Sequence, residues 1–599
     1  MQEYTSPGEV AVAPEENLTA ALWRAVDANP DRPAIAHRVG DRFVEWSTRQ
    51  FVDEIRGVAK GLMALGIAKD DKVAIYSSTR LEWTVLDFAI WAAGAVTVPI
   101  YETSSAEQVE WIVSDAGVKA ILIESDELKA AYGTVSDKLP GCEHALVIDD
   151  GALEALKQQG AEVSDEDLDA RATAVVGADT ATIVYTSGTT GRPKGCVITH
   201  TNFVWDAEQV AEAAKEFFQP GKRTLLFLPL AHIFARVIQT TCVRQGVLLG
   251  FSTGIPQLVE ELGIFKPDFL LAVPRVFEKV YNGARQKAHD EGKGKIFDKA
   301  AHIAEEYSRQ SLGSGKVKLG TKVLHGVFDK LVYTKLRAAM GGNVEYAVSG
   351  GAALGERLGH FYNGIGIKVL EGYGLTETTA GACIGRPSAF RVGTVGKPVP
   401  GSSVKIADDG EILLKGGNIF QGYYNNKAAT KEVLDDDGWF HSGDLGQVDG
   451  EGFVRITGRK KEIIVTAGGK NVAPAVLEDR MRAHPLISQC MVVGDNQPFI
   501  AALITIDPEA FPKWAEDHGK GGASVADLVD DEDLRTALQV AVDDANQAVS
   551  KAESIRTFRI LPEDFEVGNE LSQKMSVKRH VVSEKYGDVI DDIYASVQR

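Results

Sequence analysis

The run Tyr185-Thr186-Ser187-Gly188-Thr189-Thr190-Gly191-Arg192-Pro193-Lys194-Gly195 holds the residue types that a polyphosphate requires. Glycines let the backbone approach an anion closely, hydroxyls donate hydrogen bonds, and Lys194 supplies compensating charge. The spacing is not that of the nucleotide-triphosphatase loop, G-x-x-x-x-G-K-[ST], which would run directly into a helix. Here β-like ATIVYT precedes the loop and β-like CVITH follows it. A short Gly/Ser/Thr loop is ordinarily a surface hairpin; eleven such residues around one lysine point to a phosphate site.

Four further groups of residues have chemical potential. Glu371-Gly372-Tyr373-Gly374 leads into Leu375-Thr376-Glu377-Thr378, setting an aromatic face between glycines and a carboxylate between hydroxyls. Taken alone, Tyr373 would be a core aromatic. Asp444, in Ser-Gly-Asp, has two acceptor oxygens suited to a vicinal diol, although such a tripeptide is usually a turn. Arg459-Lys460-Lys461 would usually be a solvated turn. His232, in the apolar LPLAHIFAR, would usually be a satisfied core residue.

These residues need a scaffold, and the pattern supplies one. Asn17 to Val26 reads as an amphipathic helix. Lys72–Tyr76 and Val96–Ile100 read as buried strands, Leu81–Ala93 and Ala106–Ala116 as helices, and Ala120–Ile123 as a further strand. Alternation of this kind predicts an α/β body of parallel sheets flanked by helices. From about 392 to 456, short strands with Asp409-Gly410 and Asp449-Gly450 turns predict a small β-barrel-like subdomain. The expected division is an N-terminal domain of residues 1–458, a hinge at 459–461 and a smaller mobile α+β domain at 462–599. Strands are expected at Cys490–Val493 and Ile500–Ile506, and a helix at Leu534–Ala548.

The chain has 599 residues and a formal net charge of −20, which argues against non-specific nucleic-acid binding but not against one local phosphate pocket. No uncharged apolar run reaches the ~18 residues of a membrane span; Phe88 to Ile100 comes nearest. No signal-peptide pattern opens the sequence, and the five scattered cysteines form no CxxC pair, so a cytoplasmic setting is expected. Nothing basic or histidine-like is arranged to make Cys196 a thiolate nucleophile, so it reads as structural.

The eleven-residue string resembles the signature of the acyl-adenylate-forming enzymes, the superfamily of acyl-CoA synthetases, peptide-synthetase adenylation domains and firefly luciferase. LPLAHIFAR (228–236), SGGAAL (349–354), EGYGLTET (371–378), GWFHSGDLG (438–446) and ITGRKKEIIVTAGGKNVAP (456–474) match in the same order. The resemblance implies that Thr186, Ser187, Gly188, Thr189, Thr190, Gly191 and Lys194 hold the ATP phosphates. It places Gly350, Gly351, Ala352, Glu371, Gly372, Tyr373 and Gly374 around adenine, and Thr376 at the α-phosphate. Glu377 with Thr186 would bind Mg²⁺, and Asp444 and Arg459 the ribose or phosphate. His232 would wall the acyl carboxylate, and Trp205 would gate an acyl tunnel unless it simply packs the core. Lys461 would be the hinge, and Gly468-Gly469 would meet coenzyme A.

One family feature is missing. The lysine expected in a string like LTPTMKLKR falls at Ser576 of Leu571-Ser572-Gln573-Lys574-Met575-Ser576-Val577-Lys578-Arg579. Serine cannot supply positive charge to a pentavalent phosphate. In an extended segment Lys574 and Lys578 would share its side, each about 7 Å along the strand, and Lys574 is the preferred substitute. The segment from Ala284 to Gly342, preceded by VPRVFEKVYN and ending in VFDKLVYTKLRAAMGG, resembles the long-chain fatty-acid–CoA ligase group. The implied reaction is ATP-dependent conversion of a fatty acid to acyl-AMP and then to acyl-CoA. The alternatives are a fatty acyl-AMP ligase loading a carrier protein and a non-catalytic nucleotide- or acyl-binding protein. The implied partners are fatty acid, ATP and coenzyme A, without nucleic acid. An amphipathic substrate also suits peripheral contact at the inner face of a membrane, although no basic amphipathic helix stands out.

Overall fold

Val96–Ile100 is buried at every position, which requires helices on both faces and explains its unbroken apolar run. In the computed structural model, which describes residues 3–186, 192–313, 315–572 and 575–595, this strand lies inside a seven-stranded sheet. The order is Gly422–Tyr423, Lys194–Thr199, Thr180–Thr186, Val96–Ile100, Lys72–Tyr76, Val118–Ile123, His144–Val147. The last five are parallel, Lys194–Thr199 joins them antiparallel, and Gly422–Tyr423 pairs antiparallel with it at the edge. The apolar run from Phe88 ends the buried helix Leu81–Ala92, turns at Gly94 with φ +77°, and continues as Val96–Ile100. Only glycine takes that conformation without strain, and the Gly94 and Ala95 amides close the helix end on Trp91 and Ile90.

A second sheet runs Phe269–Ala272, Tyr346–Ser349, Lys368–Tyr373 in parallel, then Cys383–Ile384 and Lys397–Pro398 antiparallel. The loops at 350–354 and 374–381 leave the carboxyl ends of two adjacent parallel strands. In open α/β sheets ligands bind at that edge. A third sheet joins Arg223–Leu226, Leu248–Phe251, Pro33–Val39 and Arg42–Ser47.

Two compact units emerge. The first comprises Met1–Lys405, Leu413–Ser442 and Val448–Val454, and the second Ile406–Ile412, Gly443–Gln447 and Arg455–Arg599. The second unit is built on the strands Ile487–Val493, Ile500–Ile506 and Ile555–Ile560. Alternation splits their side chains between two apolar layers. Cys490, Val492, Ile500 and Ile504 face the helices Pro474–Arg482 and Glu532–Asn546, whereas Met491, Val493 and Leu503 face Val582, Tyr586 and Ile593 of the last two helices.

Candidate active site

The residues flanking the phosphate string pair antiparallel as a hairpin's two strands, with Thr186 opposite Lys194. Ser187, Gly188, Thr189, Thr190 and Gly191 lie outside the described residues. The second hairpin strand is held on its far side by Gly422–Tyr423, with Tyr423 opposite Cys196. From there the Tyr423 hydroxyl donates to Glu377 Oε1 at 2.8 Å, and Lys194 Nζ stands 5.0 Å from the centre of the Tyr423 ring. The Phe420 amide donates to the Glu377 carbonyl, and the Gln421 and Tyr424 amides donate to Val197 and Gly195. One short segment, 420–424, therefore ties Glu377 to the strand of Lys194, across from which Thr186 stands. Burial and the neighbouring Glu377 push the Tyr423 phenol far above its ordinary range, so it acts as a neutral donor.

Glu377 belongs to a tight turn that reverses the chain after Tyr373. Gly374 is required there: a Cβ would lie 1.5 Å from the Ala380 carbonyl oxygen. Thr379 and Ala380 follow at φ +50° and +83°, two successive non-glycine residues in the left-handed region, costing on the order of 1–3 kcal/mol each. The surroundings hold this conformation. Asn418 Nδ2 donates to the Gly381 carbonyl at 2.6 Å, and the Thr379 hydroxyl donates to the Asn418 carbonyl at 2.7 Å. Asp206 accepts from the Gly381 amide at 3.2 Å. Asp206 is fully buried, and burial pushes its carboxyl well above the ordinary carboxylate range. Thr376 is buried, whereas Tyr373 is half-buried.

The 350–354 loop leaves the neighbouring strand. The Leu354 amide donates to Glu371 Oε2 at 3.1 Å, folding Gly350, Gly351 and Ala352 beside Glu371 and Gly372. Gly350 packs on Phe234, whose ring would meet a Cβ at 3.2 Å, and Phe234 is two residues beyond His232. His232 caps the helix Ile233–Gln245 by accepting the Phe234 amide at Nδ1, 3.1 Å away. A neutral ring so engaged carries its proton on Nε2 and is a donor at that atom, not a base. Trp205 is buried, packs on Gly417 and donates from Nε1 to Glu9 at 2.7 Å, which accounts for it as a packing residue. Among the cysteines, burial pushes the thiols of Cys142, Cys242, Cys383 and Cys490 upward, away from reactivity.

In the second unit, Arg459 Nε lies 3.4 Å from the buried Asp444 carboxylate, and Glu411 accepts the Gly443 amide at 2.8 Å. Lys460 bridges Asp409 and Glu411 at 2.5 and 3.0 Å. Lys461 is exposed in the one-turn helix Lys460–Glu462. Gly468 and Gly469 form the exposed turn between the paired strands Ile464–Val465 and Asn471–Val472.

The 571–578 segment corrects the extended geometry expected for it. Leu571 bridges Val577 antiparallel, the Ser572 amide donates to the Ser576 carbonyl at 2.8 Å, and Met575 adopts φ +61°. A turn therefore stands between Ser572 and Ser576, and only Ser576 to Lys578, paired with Glu570 and Leu571, runs as a strand would. Lys578 donates from Nζ to the Gly568 carbonyl at 2.6 Å, and Lys574 lies outside the described residues.

Sequence reasoning missed Tyr423, Asp206 and Asn418. Their only local signal is the Gly-Tyr pair after Phe420-Gln421, because their partners lie dozens to hundreds of residues away.

The motifs quoted above extend along most of the chain, and comparison with known proteins agrees in extent. The AMP-binding enzyme family matches residues 22–424, and the AMP-binding enzyme C-terminal domain matches 461–598. The chain belongs to the AMP-binding enzyme family. It is 50% identical to a Mycobacterium bovis protein named long-chain-fatty-acid–CoA ligase FadD15, covering 99% of this chain and 100% of that one. It is 30% identical to human long-chain-fatty-acid–CoA ligase 1 over 97% of this chain and 87% of the relative. Among solved structures, the adenylation domain of a Segniliparus rugosus carboxylic acid reductase superposes with a TM-score of 0.74 at 21% identity, covering 97% and 94% of the two chains. A Mycobacterium tuberculosis fatty acyl CoA synthetase superposes with a TM-score of 0.62 at 22% identity, covering 96% and 99%. These likenesses establish an α/β fold with a large N-terminal and a smaller C-terminal domain.

Proposed function

We propose that this protein is an AMP-forming long-chain fatty-acid–CoA ligase, with ATP and coenzyme A as co-substrates. The observation that carries the reading is full-length 50% identity to a protein of that name. The joining of Lys194 and Glu377 through Tyr423, with Thr186 opposite Lys194, supports it. A fatty carboxylate is a poor electrophile. Its attack on the α-phosphate gives acyl-AMP and expels pyrophosphate, and the coenzyme A thiol then attacks the acyl carbon, forming the thioester and expelling AMP. Lys194 offsets phosphate charge, and the hairpin hydroxyls donate to phosphate oxygens, so these residues act by positioning and electrostatics. Thr186 and Glu377 offer oxygen donors, the hard-ligand set that Mg²⁺ takes along with phosphate and water oxygens. Bound there, Mg²⁺ would neutralise polyphosphate charge. His232, donating from Nε2, orients the acyl carboxylate without removing a proton. Asp444 accepts from the ribose hydroxyls, and Tyr373 stacks on adenine. Lys574 remains the preferred substitute for the lysine missing at 576. The hinge at Lys461 lets the 462–599 domain serve the two half-reactions in turn, bringing Gly468-Gly469 to coenzyme A.

The test is incubation with palmitate, Mg-ATP and either coenzyme A or an acyl carrier protein, scoring AMP, pyrophosphate and thioester. Palmitoyl-CoA formation is expected. Acyl-AMP that accumulates despite coenzyme A would assign the carrier-protein reaction, and no AMP with any of several acids would leave a binding protein. Lys461→Pro should slow thioester formation more than pyrophosphate exchange; equal loss would remove the hinge assignment.

A further inference from the structure

The most exposed apolar surface of the first unit belongs to the segment between the long helix Gly294–Gly313 and the strand Tyr346–Ser349. The helix Leu319–Phe328 continues through a wider turn, Asp329–Tyr333, into Thr334–Ala339. Its inner side is fixed: Thr321, Phe328, Tyr333 and Leu336 are buried. His325 stacks on Tyr307 at 3.9 Å and shares a 2.6 Å hydrogen bond with the Gly364 carbonyl. The outer side carries Leu319, Val323, Val327 and Leu331, which are 78, 58, 48 and 55% exposed. At four-residue intervals they make one stripe along the helix, with Leu324 beside it. Large apolar side chains in a continuous exposed row mark an interaction surface.

The rim of the stripe identifies the partner. Lys316, Lys318, Lys322, Lys330 and Lys335 are all exposed in this segment. From Lys316 to Ala339 the one acidic residue, Asp329, is ion-paired with Arg337 at 2.8 Å. A chain of net charge −20 thus presents a local surface of the opposite sign around its apolar stripe. An apolar face rimmed by lysines is the arrangement by which a helix lies in the interface of an anionic bilayer, with the stripe among acyl chains and the ammonium groups at lipid phosphates. The rest of the acidic surface would be repelled, so one face meets the lipid. No helix among the described residues is long and apolar enough to cross a membrane, and this surface calls for none.

We propose that Leu319–Leu331 and its lysine rim dock the protein on anionic phospholipid bilayers. The surface gives the membrane contact expected for a fatty-acid ligase a definite place, and it rests on that reading only for its purpose. Flotation needs neither ATP nor turnover, so a failure of docking and a failure of the ligase reading are separable.

The experiment is flotation of the full-length protein with vesicles of phosphatidylcholine alone or with about one-third phosphatidylglycerol, at low and high salt. Binding is expected only to the anionic vesicles and should weaken with salt. The triple variant Leu319→Ser, Val323→Ser, Val327→Ser should lower partitioning at least tenfold, with an unchanged thermal midpoint. Lys318→Glu with Lys322→Glu should lower it about 25-fold or more, from about fivefold per lysine lost. Failure of the parent to bind anionic vesicles, or equal binding by the Ser variant, would overturn the proposal. So would a dimer in sedimentation velocity that the Ser variant dissociates, since the stripe would then join two copies of the chain.

Discussion

Arg236, the last residue of LPLAHIFAR, is fully buried and bonds in two places to Asp87, also fully buried, at 2.6 and 3.1 Å. Its third nitrogen donates to the Thr182 hydroxyl at 2.7 Å. The rings of Trp83, Trp91 and Phe203 surround the guanidinium, each 5.3–5.4 Å from its carbon. Replacing Arg236 with Met keeps most of the volume but strands the Asp87 carboxylate, with Gln239 as a remaining donor at 3.1 Å. Breaking a buried pair from one side costs about 3–5 kcal/mol, more than the pair itself contributes against an apolar replacement. At about 2.1 cal/mol/K of unfolding entropy per residue, a unit of about 440 residues gains about 0.9 kcal/mol/K. Arg236→Met should then lower the thermal midpoint by about 3–5 °C. Adding Asp87→Asn removes the stranded charge and should restore at least half of the loss. Scanning calorimetry of the parent, both single variants and the double variant closes the cycle. A midpoint for Arg236→Met within about 1 °C of the parent, or a double variant no better than Arg236→Met, would refute the reasoning.

Three further outcomes are expected. Tyr423→Phe removes the donor that holds Glu377, a hydrogen bond to a charged group worth about 1.5–3 kcal/mol, so half-saturation by Mg²⁺ in pyrophosphate exchange should rise about tenfold or more; a change under twofold would count against the bridge. Gly374→Ala, with no room beside the Ala380 carbonyl, should depress pyrophosphate exchange at least about 100-fold, and near-normal rates would show that the turn opens freely. His200 is fully buried, and burial pushes its ring down to about 3. Between about pH 6.5 and that value the unfolded chain binds a proton that the folded chain refuses, so stability falls as pH drops, by up to about 1.4 kcal/mol per pH unit. His200→Gln keeps an acceptor for the Leu18 amide and should flatten the fall of the urea midpoint between pH 6.5 and 5.5; an unchanged slope would assign the acid sensitivity elsewhere.

What could be read in advance followed the range of the forces involved. Lys72–Tyr76, Val96–Ile100 and Ile500–Ile506 occupy the expected residues because their apolar runs stand out from polar or glycine flanks, and Ala106–Ala116 does because Ser105 caps its start and Gly117 its end. The hairpin around the phosphate string was also legible, since β-branched residues flank it on both sides. Gly422–Tyr423 was not, because two residues carry no periodicity and pair only through a distant strand. The turn at Met575 was missed for a related reason: its left-handed φ is imposed by the Leu571–Val577 bridge and not by a glycine. The stripe at 319–331 was not assigned in advance. Its spacing is that of a core-facing helix, and only the fold shows that the face of the helix turned to the core is the other one.

The edge hairpin has a bearing on how the chain tolerates change. Lys194–Thr199 is paired on both sides, and Cys196 and Ile198 are buried. A slip of one residue would turn Lys194 to the opposite face and expose two apolar side chains on the way. Insertions or deletions inside the strand are therefore penalised twice, by lost burial and by removal of the cation. Substitutions between residues 199 and 420, where the chain makes its long detour before returning as Gly422–Tyr423, leave that register untouched. In a library of random insertions and deletions, survivors should be depleted within 194–199 and 422–423 relative to the exposed loops of the detour.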